Sequence, residues 1–172
     1  PSKRVHVEIA GVERTFKTFN PAINQHFTKA GGGGSLNVGV EVVKGLRLVT
    51  NNYWSDGGGR YMFGQAPDAV LKPNGDMGLI HSGSTVSGFE ETYKNTLMYA
   101  YYGGIWIGRY STIDPSTGKP VGYGYSGSAN SQNKAIQEGT LGFNQTLWKD
   151  ARWGAVNFMG QYSYLTRNPW YL

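Results

Sequence analysis

Along much of the chain apolar and polar residues alternate with a period of two, which puts one set of side chains on each face of a β-strand. RVHVEIAGVERTFKTF, residues 4–19, opens with Val5, Val7 and Ile9 at alternate positions and meets no turn signal before Asn20-Pro21. Leu36, Val38, Val40 and Val42 alternate with Ser35, Asn37, Gly39 and Glu41. Lys44-Gly45 then turns the chain into LRLVTNNYW, so the two segments predict a hairpin. The GGGGS run from Gly31 predicts a flexible connection ahead of that hairpin. Residues 88–94 and 96–110 predict two strands, or one strand with a bulge, divided near Asn95. Near the end of the chain, Leu141, Phe143 and Leu147 alternate with Gly142, Asn144 and Thr146, and Lys149-Asp150 predicts a tight turn. The return strand places Val156, Phe158, Tyr162 and Tyr164 on one face and Asn157, Gln161 and Ser163 on the other, with Met159 an apolar exception on the second face.

Two stretches break the alternation. Residues 55–85 and 111–133 are rich in Gly, Pro, Asp, Asn and Ser and predict long loops. A structureless loop of that length is unusual in a compact domain and points to a binding or gating role. Apolar pieces at residues 61–63 and 69–71 predict that the first loop packs against something.

Expected strand lengths of about nine to fifteen residues exceed the five or six usual in globular sheets. Tight turns on one side, long loops on the other, and aromatic residues at strand ends, as at Tyr53-Trp54, Tyr110, Trp148 and Trp153, match transmembrane β-strands. The fold class this predicts is all-β, an antiparallel transmembrane β-barrel, with residues 1–172 as a single region. The strand count comes to about seven, whereas bacterial single-chain barrels have even numbers, so the region is expected to be a C-terminal part of a larger barrel, or else the count misses one strand. In that setting Val156, Phe158, Tyr162 and Tyr164 face lipid, and Asn157, Gln161 and Ser163 face the lumen. A soluble carbohydrate-binding β-sandwich shows the same alternation, abundant tyrosine and glycine-rich turns, and remains an alternative.

Composition narrows the chemistry. Charged residues make up 16% of the chain, below the roughly 25% of ordinary soluble domains, and glycine contributes 26 of 172 residues. The net charge of +5 is spread over single Lys and Arg positions with no basic run, which argues against nucleic acid as a partner. The absence of cysteine excludes a disulfide framework, thiol catalysis and a thiolate zinc site. His6, His26 and His81 lie far apart, so no metal is expected. Glu90 and Glu91 fall on opposite faces of a strand, which is poor geometry for a pair of acids flanking one bond. GGGGS and SDGGGR lack the lysine and hydroxyl residue of a phosphate loop, and HSGST lacks a strand-to-helix nucleophile elbow. The expectation is therefore no enzyme, no catalytic residues and no cofactor. The charged residues singled out as candidate pore or constriction groups are Asp56, Arg60 and Asp68 in the first long loop, with Glu41, Arg47 and Arg109 on strands.

GGGGSLNVGVEVVKGLRLVTNNYWSDGGGRYMFGQAPDAVLKPNGDMGLIHSGSTVSGFE, residues 31–90, followed by LMYAYYGGIWIGRY, resembles the C-terminal portion of large porin-like outer-membrane proteins of acidobacteria and related bacteria. TLGFNQTLWKDARWGAVNFMGQYSYL resembles the last two strands of such a barrel. The resemblance implies a bacterial outer-membrane location and a channel for passive passage of small solutes, with the lipid bilayer as partner. A structural barrel that anchors an envelope complex is the alternative within that setting, and a homo-oligomer or an envelope protein would then be the partner.

Overall fold

The computed structural model describes residues 4–62, 64–129 and 131–171. Its strands are β1 (Val5–Asn20), β2 (Gln25–Val43), β3 (Leu46–Asp56), β4 (Ala69–Leu71), β5 (Met77–Leu79), β6 (His81–Tyr93), β7 (Thr96–Ile107), β8 (Tyr110–Ile113), β9 (Pro120–Tyr123), β10 (Asn133–Asp150) and β11 (Gly154–Pro169). A single 3-10 turn, Gly59–Tyr61, is the only helical piece among the described residues. Seven strands form one sheet in the order β1-β2-β3-β6-β7-β10-β11, with every neighbouring pair antiparallel. The two long connections each fold into a small hairpin, β4-β5 and β8-β9.

This topology corrects the expected barrel. Among the described residues β1 pairs only with β2 and β11 only with β10, so the sheet is open at both edges. The reason lies in the strand number. Seven strands that alternate in direction leave the first and last running the same way, so they cannot close the sheet antiparallel. An open edge carries unpaired backbone groups that hydrocarbon cannot satisfy, and an open sheet encloses no lumen. The porin-like channel, the barrel anchor, the lipid bilayer as partner and the outer-membrane location all rested on closure and are corrected with it. No helix among the described residues is long and apolar enough to cross a membrane. The alternative of an all-β domain outside a barrel is the better match, although the sheet is backed by its own connections and not by a second large sheet.

The GGGGS run is a second correction: it lies inside β2 and pairs with β1 and β3. Its first three glycines are there for space. A Cβ on Gly33 would overlap the hydroxyl and ring of Tyr53, and one on Gly31 would come 2.5 Å from the Asp56 carbonyl oxygen. Strand β6 also begins earlier than the alternation suggested, at His81, inside the stretch expected to be loop. At the tight-turn end, Gly45 has φ +90, a left-handed conformation that glycine adopts without strain, where the chain passes from β2 to β3.

One face of the sheet is covered by the connection between β3 and β6. Met62 and Ile80 from that connection pack with Ile107 of β7 and Ala66 into a small core, with Tyr53, Ile105, Tyr110 and Tyr123 around it. The β1-β2 hairpin overhangs β3, since residues 14–31 lie beyond its last register position, and it grips the same connection. Thr18 Oγ1 donates to the Gly75 carbonyl at 2.6 Å, and Asn20 Nδ2 donates to the Asn74 carbonyl at 2.8 Å. The other face stays open. Its register rows run across all seven strands, as in Val5, Val40, Leu48, Phe89, Ala100, Leu141 and Tyr162.

Candidate functional site

On the open face, toward the end of the sheet that carries the long connections, lies a groove of about 760 Å³. Register builds it. Trp54 of β3, Gly83 of β6 and Trp106 of β7 occupy one row, so two indoles stand on either side of a residue with no side chain. The next row holds Asn52, Thr85, Gly104 and Gln137, which supplies amides and a hydroxyl beside a second bare position. Tyr102 follows on β7. The rings are available to solvent: Trp54 is 57% exposed, Trp106 49% and Tyr102 48%.

The polar groups are fixed by one another. Thr85 Oγ1 donates to Asn52 Oδ1 at 2.8 Å, and Asn52 Nδ2 donates to Thr50 Oγ1 at 2.9 Å. Tyr102 donates its hydroxyl to Gln137 Oε1 at 2.9 Å, which orients that amide beside the ring. Hydrogen bonding across strands on a rigid sheet holds each rotamer, so the surface is organised before any ligand arrives. At the far end Asp56 and His81 face each other across β3 and β6, with His81 Nδ1 3.4 Å from Asp56 Oδ1. No Lys or Arg lines the groove.

The structure scatters the charged candidates. Asp68 joins Arg14 at 2.6 Å and Arg60 at 2.8 Å, and also accepts the Arg60 backbone N–H at 2.8 Å. Burial alone would raise the Asp68 pKa, but the hydrogen bonds from the two arginines outweigh it and the carboxyl ends below its ordinary range. This cluster fastens the connection to β1. Glu41 and Arg47 pair in register at the opposite end of the sheet, where Glu41 Oε1 accepts the Gly45 N–H at 3.0 Å. They share a cleft there with Glu90, whose Oε1 accepts the Tyr101 hydroxyl at 2.5 Å. Burial, and then that bond to Glu90, push the Tyr101 phenol up to about 12. Arg109 lies over the Trp170 ring, 5.9 Å from its centre. Of the six, only Asp56 touches the groove. On β11 the two sets singled out by alternation fall on opposite faces of an edge strand, and an open sheet gives neither set a lumen to line.

The groove residues Trp54, Trp106, Tyr102, Asn52, Thr85 and Gln137 were not singled out from the sequence. Trp54 was read there only as an interfacial aromatic at a strand end. The signal that joins them is strand register, because Trp54 and Trp106 are separated by about fifty residues and meet only when β6 is placed between β3 and β7. Among the described residues no group of three or more His, Asp or Glu side chains is placed to hold a metal ion. No family model, no curated protein and no solved structure matches the chain, so the resemblance to porin-like proteins has no support from likeness as well as none from the open fold.

Proposed function

We propose that the chain is a saccharide-binding β-sheet domain that holds a neutral sugar chain in the groove between Trp54 and Trp106. The observation that carries this reading is the pair of exposed indoles flanking Gly83 in one row, beside a row of fixed amides and hydroxyls. Sugars present C–H faces and hydroxyl edges in alternation. Flat aromatic surfaces take the first, and placed amide and hydroxyl groups take the second. The lack of Lys and Arg in the lining favours an uncharged ligand over a phosphate backbone. The domain binds without turnover: Asp56 is the one carboxylate of the lining, whereas glycoside cleavage ordinarily uses two.

The test is calorimetric titration of the chain with a panel of neutral linear oligosaccharides, repeated on Trp54→Ala and Trp106→Ala. Each substitution is expected to weaken binding by about tenfold or more, as for aromatic anchors at other interfaces, while the circular dichroism stays that of the parent. Failure of every panel member to bind the parent chain would overturn the reading, and so would equal affinity in both variants.

A further inference from the structure

The two edges of the sheet are built differently. Strand β1 carries the exposed charges Glu8, Glu13 and Lys17 along its sixteen residues, the kind of charge that keeps an edge from pairing with another chain. Strand β11 has the same length and only one charged residue, Arg167, near its end. Between Gly154 and Thr166 it has neither a charge nor a proline, and Phe158, Met159, Tyr162, Tyr164 and Leu165 are all more than half exposed. The molecule as a whole also exposes too much surface. Its 11395 Å² compares with about 8,300 Å² for a folded monomer of 18.9 kDa. That surplus is several times the roughly 800 Å² each partner contributes to a standard interface.

We propose that β11 is a self-association edge, pairing antiparallel with β11 of a second copy about a two-fold axis perpendicular to the sheet at Gly160. The occupant is chosen by self-complementarity. A two-fold axis in this orientation keeps each face of one sheet continuous with the same face of the other, so only registers that set like-facing residues opposite each other are allowed. Centred on Gly160, Phe158 stands opposite the partner's Tyr162 and Val156 opposite the partner's Tyr164 on the open face. Asn157 stands opposite the partner's Ser163 and Ala155 opposite the partner's Leu165 on the covered face. Apolar residues therefore face apolar ones and Asn157 faces a hydroxyl, with Met159 opposite the partner's Gln161 the one mixed pair, and aromatic–aromatic and aromatic–β-branched pairs of this kind stabilise antiparallel neighbours. The Phe143 ring already lies over Gly160 and 5.7 Å from the Phe158 ring, which seeds an aromatic cluster at the axis. Pairing at this edge leaves the Trp54–Trp106 groove uncovered, so it is independent of what that groove binds.

The chain lacks cysteine, which makes introduced thiols unambiguous reporters. Sedimentation velocity on the unaltered chain is expected to show a dimer, and Phe158→Lys a monomer with parental circular dichroism. Under oxidation the Asn157→Cys, Ser163→Cys double variant is expected to run as a covalent dimer on a non-reducing gel, while each single variant stays monomeric. Should Phe158→Lys fail to fold, the cysteine variants decide the question alone. A monomeric parent, cross-linking by either single variant, or a dimer whose double variant fails to cross-link would each overturn the proposal.

Discussion

Asp68 ties β1 to the β3-β6 connection through one carboxylate, bonding Arg14 across the sheet and Arg60 within its own connection. Its side chain is largely buried and so is that of Arg14, whereas Arg60 is 61% exposed, so the bond to Arg14 carries most of the energy. Asp68→Asn keeps the shape and removes the charge, leaving the Arg14 guanidinium part-buried without its counterion. A loss of roughly 2–3 kcal/mol in urea unfolding is expected, in the range for breaking one side of a shielded charged hydrogen bond. The pH dependence has a definite sign. Because the folded-state pKa of Asp68 is lowered from 3.8, its contribution is complete above the ordinary carboxylate range and is lost as pH falls through the lowered value. Acid titration followed by tryptophan fluorescence should therefore show a stability decline in the parent that is shallower in Asp68→Asn.

Among the elements, β2 makes the sharpest test of why glycine is where it is. Gly33 points to the covered face under Tyr53, and Gly34 points to the open face, where an added Cβ would make only ordinary contact with the Ala10 carbonyl oxygen. Gly33→Val is expected to cost about 1–3 kcal/mol by overpacking, whereas Gly34→Val is expected to be neutral or stabilising, since a β-branched residue suits a strand. Thermal melts of the two variants check the contrast. The same glycines show how far the sequence could be read. Alternation in residues 36–42 and 156–164 located the hairpin strands and assigned their faces, because period two is a local property. It misread the glycine run as a loop because what Gly31 and Gly33 make room for, the Asp56 carbonyl and Tyr53, comes twenty or more residues later. The groove was hidden for a related reason: Asn52, Thr85 and Gln137 share a row only through pairings between strands far apart in the chain. Which strands end the sheet was equally beyond reach, since edge position is decided by pairings between segments far apart in the chain.

For the whole molecule, the parity of the main sheet has a mechanical consequence. Strands β1 and β11 stand at opposite edges and run in the same direction, so Val5 and Pro169 lie toward diagonally opposite corners of the sheet. Pulling between handles at these two positions acts mainly along the strands, and so mostly across the direction of the hydrogen bonds between them. The sixteen register pairs of β1 with β2 are then loaded together in shear, whereas handles at Val5 and Val40, which face each other in register, would open the same pairs one after another. Single-molecule extension with cysteine-linked handles is expected to show one high-force rupture for the diagonal geometry and a low, drawn-out release for the other. The strand count that forbids this sheet from closing on itself also makes it stiff along its diagonal.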